Sequence, residues 1–166
     1  MNKRVLSLLV ENTTGVLSRV AGLFTRRGYN IDSITAGVTA DPRFTRITVV
    51  VRGDENILDQ IEKQLGKLED VIAIKELKGD ASVCRELAMI KVEVSEESRE
   101  GVIAIANIYR AKIVDVDKDS MIIELVGTQS KLDAFLELLV GYEVLELART
   151  GITGLTRGSK DVVYLD

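Results

Sequence analysis

Residues 3–10, KRVLSLLV, place Leu6, Leu8 and Val10 on one alternating face and Val5, Ser7 and Leu9 on the other. The pattern predicts a strand that is apolar on both sides, one face against a core and the other against a partner. Val16, Leu17, Val20, Leu23 and Phe24 then fall on one helical stripe, Arg26 and Arg27 suit the negative end of the helix dipole, and Gly28 marks the stop. Ile31 to Val38 and Phe44 to Arg52 are rich in β-branched residues and flank TADPR, with Pro42 in the turn, so they predict a hairpin. Asp54 opens a second helix with Ile57, Ile61, Leu65 and Leu68 on one face, and VIAIKEL closes with a fourth strand. The order βαββαβ packs two helices on one face of a four-stranded antiparallel sheet, which is the ferredoxin-like α+β unit.

The same order returns after a polar connector, KGDASVCRE. LAMIKVEV reads as a strand, REGVIAIANIYR as a helix, KIVDVDK and SMIIELVG as a hairpin, and SKLDAFLELLV and YEVLELA as the last helix and strand. The division predicted is a first domain at 1–77, a linker at 78–86, a second ferredoxin-like domain at 87–150 and a tail at 151–166. The tail is Gly-rich and polar, and is expected to lie over the second domain or to be mobile.

Composition narrows the function more than the fold. At 166 residues and 46% hydrophobic, the chain suits two small packed domains. Its apolar runs are broken by charge, and Met-Asn-Lys-Arg leads straight into a strand, so a cytoplasmic protein without a membrane span or export signal is expected. With no histidine and one cysteine, Cys84, the chain has no histidine base and no nitrogen or sulfur metal site. The net charge of -4 divides as +1 over residues 1–80 and -5 beyond, and aromatic residues are sparse, so nucleic acid is not an expected partner. Cys84 beside Arg85 reads as a spectator thiol. The arginines of TRRG already have a local reason as helix C-terminal cations, and GITGLTRG lacks the strand and the closing Lys-Ser/Thr of a phosphate loop.

The connection ENTTG between the first strand and helix is chemically distinctive. A helix start presents N–H groups without intrahelical partners and a partial positive charge, which suits a carboxylate. Gly15 lets a ligand approach this backbone, and Asn12 offers an acceptor for an ammonium and a donor for a carboxylate. The loop therefore matches the main-chain end of a free amino acid. The simpler reading of the loop alone is that Thr13 or Thr14 caps the helix and Gly15 turns the chain. Asn30 is equally open, either a turn residue paired to backbone or an amide kept for a ligand. In the second repeat VSEESREGV puts acidic side chains at the corresponding helix start, so that domain is expected to lack such a pocket and to support docking and dimerisation.

The string LLVENTTGVLSRVAGLFTRRGYNIDSITAG, followed by GDENILDQIEKQL, KLDAFL and ARTGITGLTRG, resembles the small regulatory subunits of acetolactate synthase (acetohydroxyacid synthase) in order, from Arg4 to about Gly158. The N-terminal half resembles an ACT domain, the amino-acid-binding regulatory module. The resemblance implies a homodimer in which two ACT sheets join edge to edge into eight strands, with valine at the seam. Carried onto this chain, Asn12, Gly15, Val16 and Leu17 of one subunit meet Asn30 and Ile31 of the other, with Ser18 nearby. Gly15, Ser18, Asn30 and Gln60 match family positions where substitution relieves valine inhibition. Gly37 occupies another such position, where the family commonly carries Ala, a departure that leaves the pocket's shape open.

The resemblance also implies that catalysis belongs to a separate large subunit. That subunit would use thiamine diphosphate, Mg2+ and FAD to condense two pyruvates, or pyruvate with 2-oxobutyrate. This chain would hold no catalytic residue and no cofactor. It would activate the large subunit and restrain it when valine binds, as feedback control of branched-chain amino acid biosynthesis. Leucine and isoleucine are expected to be weaker effectors, since one methylene in an apolar pocket is worth about 1 to 3 kcal/mol. An acylphosphatase-like enzyme would need an arginine in the loop between Glu11 and Ser18, and there is none. An RNA-recognition module would show aromatics on the central strands, whereas the first strand has none, and a transcription regulator would need a DNA-reading helix pair, for which the two repeats are expected to leave no room. The rival that survives is a stand-alone ACT-type amino-acid sensor serving a different enzyme.

Overall fold

Residues 1–159, described by a computed structural model, divide into two units: Met1–Cys84 with the segment from Ile152 onward, and Arg85–Gly151. The first unit contains β1 (Asn2–Glu11), α1 (Val16–Arg27), β2 (Ile31–Val38), β3 (Phe44–Gly53), α2 (Glu55–Gly66) and β4 (Val71–Glu76). Its sheet has the order β2-β3-β1-β4 with antiparallel neighbours, the expected ferredoxin-like arrangement. Leu6, Leu8 and Val10 of β1 with Ile47, Val49 and Val51 of β3 form the sheet side of the core. Val16, Val20, Leu23 and Phe24 of α1 and Leu58, Ile61 and Leu65 of α2 form the helix side. Asp54 caps α2 by accepting the Ile57 N–H at 2.9 Å, and Gly28 ends α1 at a φ of +67°. Arg4, nearly buried at the start of β1, pairs with Glu55, Asp59 and Glu62 at 2.9–3.1 Å and ties β1 to α2. Leu17 departs from the expected apolar stripe: it is 46% exposed.

The opposite face of the sheet corrects one expectation. Ser7, Leu9, Thr48 and Val50 are all at most 2% exposed within the chain itself. Ser7 accepts a hydrogen bond from Arg46 at 2.8 Å, and Thr35 of β2 donates to the Ile152 carbonyl at 3.3 Å. The second apolar face of β1 is therefore covered without a second subunit.

The second unit repeats the topology. It takes the larger part of β5 (Ser82–Glu93), then α3 (Arg99–Ile108), β6 (Lys112–Val116), β7 (Ser120–Gly127), α4 (Gln129–Leu138) and β8 (Val144–Arg149). The strand order is β6-β7-β5-β8. Ile90, Val92, Met121 and Ile123 pack with Val102 and Ala106 of α3 and Leu132 and Phe135 of α4.

The boundaries differ from the sequence expectation in two places. β5 begins at Ser82, so 78–86 is a short turn leading into a strand rather than a separate linker, and the units part between Cys84 and Arg85. The connector looked polar because two of its strand residues are buried and polar: Ser82 and Glu86 are each 5% exposed. Glu86 is paired with Arg149 through bonds of 2.8 and 3.0 Å. The described part of the tail, residues 152–159, groups with the first unit rather than the second. There β9 (Thr153–Thr156) pairs with β5, and the Arg157 N–H donates to the Ala81 carbonyl at 2.8 Å. Residues 160–166 of the predicted tail lie outside the described residues. No helix among the described residues is long and apolar enough to cross a membrane.

Two glycines give a test of this arrangement. A Cβ on Gly154 would lie 2.6 Å from the Val83 carbonyl oxygen, whereas one on Gly37 would meet nothing within 4 Å. Gly154→Ala is expected to lower stability by about 1 to 3 kcal/mol through overpacking. Gly37→Ala is expected to change it by less than about 1 kcal/mol. Urea unfolding of both variants reads the difference, and equal stabilities would mean that β9 is not seated on β5.

Candidate effector-binding site

Residues 12–15 turn the chain from the end of β1 into α1. Gly15 sits at the N-cap with φ +82° and ψ 2°, in the left-handed region that L side chains resist. No side chain caps the helix, so the expectation that Thr13 or Thr14 does so is corrected. The Thr13 hydroxyl instead donates to Asp70 Oδ1 at 3.3 Å. Val16 N–H reaches the Thr13 carbonyl at 3.3 Å and Arg19 N–H reaches the Gly15 carbonyl at 3.0 Å. Between them, the N–H groups of Leu17 and Ser18 have no partner among the described residues. Both residues are exposed, and the first turn contains no acidic side chain to occupy those donors. The result is a pair of open donors at the positive end of a helix, suited to a carboxylate.

Asn12 has both a structural role and spare capacity. Its Nδ2 donates to the Pro42 carbonyl at 3.0 Å, its Oδ1 accepts from the Thr45 hydroxyl at 3.2 Å, and its backbone N–H donates to the Arg43 carbonyl at 2.8 Å. These bonds stitch the loop to the β2–β3 hairpin. A primary amide has two donors and two acceptor sites, so one of each is left for a ligand. Val16 is 6% exposed and contributes its side chain to the core, whereas Leu17 turns outward.

Asn30, Ile31 and Gln60 lie elsewhere. Asn30 is exposed at the entry to β2, and its amide makes no hydrogen bond among the described residues, so it is not the backbone-paired turn residue that was one of its two readings. Ile31 packs partly against the core. Gln60 accepts from the Tyr29 hydroxyl at 3.3 Å and so supports the chain just before Asn30. Register fixes the distance between the two groups. Ile31 is level with Val51 and Arg4, at the start of β1, while Val38 is level with Thr45 and Val10, beside the Asn12 loop. At about 3.4 Å per residue, the strand from Ile31 to Val38 spans roughly 24 Å. One copy of the chain therefore keeps Asn12, Gly15, Leu17, Ser18 and Gly37 at one end of the sheet and Asn30, Ile31 and Gln60 at the other.

Sequence reasoning missed Arg19 and Asp70. Arg19 Nε donates to Asp70 Oδ2 at 2.6 Å, and this bond holds the Asp70 carboxyl below the ordinary carboxylate range. Asp70 lies in the turn before β4. Since β4 is the neighbour of β1, only the sheet order could have placed that turn beside the loop.

The second unit offers different chemistry at its own helix start. Ser98 and Ser95 bond each other there, Glu100 lies in the first turn of α3, and the Tyr142 hydroxyl fills the space beside Gly101. A hydrogen bond between the Glu93 and Glu143 carboxyls, and then the Glu143 charge, raise the Glu93 pKa. Among the described residues no group of three or more His, Cys, Asp or Glu is arranged to hold a metal ion.

Comparison with known proteins agrees with this architecture. Residues 6–73 match the AHAS small subunit-like ACT domain, and residues 85–158 match the family described as the small subunit of acetolactate synthase. A protein of Methanothermobacter thermautotrophicus named a probable acetolactate synthase small subunit is 51% identical over 157 residues, covering 94% of both chains. The Escherichia coli acetolactate synthase isozyme 3 small subunit is 46% identical over 159 residues, covering 95% of this chain and 98% of that one. The crystal structure of the acetolactate synthase small subunit of Thermotoga maritima superposes with a TM-score of 0.87 at 40% identity, covering 96% of this chain and 99% of that one. With both halves matched and these relatives covered almost end to end, the chain belongs to the acetolactate synthase small-subunit family, and its N-terminal unit is an ACT domain.

Proposed function

We propose that two copies of this chain pair their β2 edges and bind valine at the seam, as the feedback-regulated subunit of acetolactate synthase in branched-chain amino acid biosynthesis. The observation that carries this reading is the separation of the two half-sites along β2. Antiparallel pairing of two β2 edges about a two-fold axis sets the start of one strand beside the end of the other. Asn30 and Ile31 of one copy then meet the Asn12–Ser18 loop of the second. The valine carboxylate is received by the Leu17 and Ser18 N–H groups, its ammonium by the free acceptor capacity of Asn12 and Asn30, and its side chain by Leu17 and Ile31. Gly37, at the loop end of β2, leaves open space along the seam.

Catalysis is assigned to a large subunit carrying thiamine diphosphate, Mg2+ and FAD, with this chain as its non-catalytic activator in the cytoplasm. A coupling of about 1 to 3 kcal/mol between valine and the regulatory arrangement is sufficient for control. The second unit supports docking and dimerisation and holds no equivalent pocket. Its crowded Gly101 position and first-turn Glu100 favour that assignment.

Calorimetric titration of valine into the chain is expected to give close to one valine per chain. Asn12→Ala and Gly15→Asp should both lose binding, the latter because a carboxylate at position 15 competes for the same donors. No heat for wild type at millimolar valine and two temperatures would remove valine as effector of the isolated dimer. Valine should also raise thermal stability, by about 2.7 kcal/mol at a hundred times its Kd. In a reconstituted assay the wild-type chain should increase acetolactate formation by the large subunit and valine should reverse the increase. An increase indifferent to valine would break the link between seam and catalysis.

A further inference from the structure

One side-chain cluster beside the effector loop serves neither the core nor any capping role. Asp70 makes three connections to this region: its backbone carbonyl accepts the Glu11 N–H at 2.9 Å, and its carboxylate accepts from Arg19 Nε at 2.6 Å and from the Thr13 hydroxyl at 3.3 Å. Arg19 completes the enclosure. Its Nη2 donates to the Thr13 hydroxyl and the Thr14 carbonyl at 3.4 Å each, and its Nη1 lies 3.1 Å from where a Gly15 Cβ would be. The last residue of β1, the loop and the first turn of α1 are thus all fastened to the turn between α2 and β4.

We propose that Arg19 and Asp70 are paired positioning residues that hold Thr13–Gly15 so that the Leu17 and Ser18 N–H groups face outward together, and so set the affinity of the effector loop. The inference rests on the proposed effector site for its ligand, but the positioning itself concerns the free chain. The physical case is one of preorganisation. A left-handed residue preceded by two exposed threonines has little of its own to fix it, and an unfastened loop would pay the ordering entropy when ligand arrives. Arginine suits the task because its planar fork reaches the carboxylate, a hydroxyl and a carbonyl at once, which a lysine point charge does not. The pair is also charge-balanced, so the helix start attracts a zwitterion without becoming a general anion trap.

The test uses Arg19→Gln, Asp70→Asn, the double variant, Arg19→Lys and the charge-reversed pair Arg19→Asp/Asp70→Arg, all in the full chain. Amide hydrogen exchange without ligand reads the positioning directly. Protection of the Glu11, Val16 and Arg19 amides should fall by about tenfold in each single variant through local opening, while core amides stay unchanged. Valine affinity should fall about 5- to 20-fold in each single variant, a modest coupling. The double variant should lose no more than the worse single one, Arg19→Lys should fall between wild type and Arg19→Gln, and charge reversal should restore part of the loss. Unchanged loop protection, or losses that multiply in the double variant, would overturn the proposal. Wild-type chain that binds no valine but shows the exchange pattern would withdraw the effector assignment and leave the positioning role standing. A global loss of protection in the single variants that charge reversal does not repair would assign the pair to folding and overturn it.

Discussion

Between β1 and α1 the backbone must pass through a left-handed conformation at Gly15, and much of the molecule's chemistry depends on that residue. An L side chain in this conformation costs about 1 to 2 kcal/mol, so glycine holds the cap position where Ser, Thr, Asp or Asn would otherwise sit. Such a cap would consume a first-turn N–H. Its absence leaves the Leu17 and Ser18 donors open, and the missing Cβ leaves the space into which Arg19 reaches. One backbone requirement thus produces both a helix start with open donors, chemically suited to an anion, and the room for the ion pair beside it.

The antiparallel register of β2, β3 and β1 imposes a second constraint. It places the entry to β2 and the exit from β1 at opposite ends of the sheet, so no single copy can bring Asn30 to Asn12. A ligand that needs both must be held between copies, and its binding energy is then tied to how the copies associate. Coupling of this kind follows from the topology rather than from any flexible element.

The two units share a topology and diverge in chemistry. Each has two helices over a four-stranded sheet and a helix that follows its first strand. In the first, that helix begins with glycine and no acid; in the second, it begins with paired serines, Glu100 and a tyrosine against Gly101. The same topology therefore leaves first-turn donors open in one unit and sets acidic and aromatic side chains at the corresponding helix start in the other.

Periodicity alone determined the two βαββαβ repeats, because strand alternation and helical stripes are local properties of Leu6–Val10, Val16–Phe24 and their counterparts. The residue types of the Asn12–Gly15 loop marked it as chemically matched to an amino acid's main-chain end, although the simpler reading of the loop alone was a cap and a turn. Tertiary structure decided what depends on residues distant in sequence. The second face of β1 looked unpartnered, but it is buried within the chain, with Ile152 reaching Thr35. Glu86 looked like linker, but Arg149, 63 positions away, lets it be buried in a strand. Asp70 carried no local sign of its role, because only the placing of β4 beside β1 brings that turn to the loop. Local patterns specify elements; the polar groups that those elements bury or clamp are chosen by neighbours that only folding supplies.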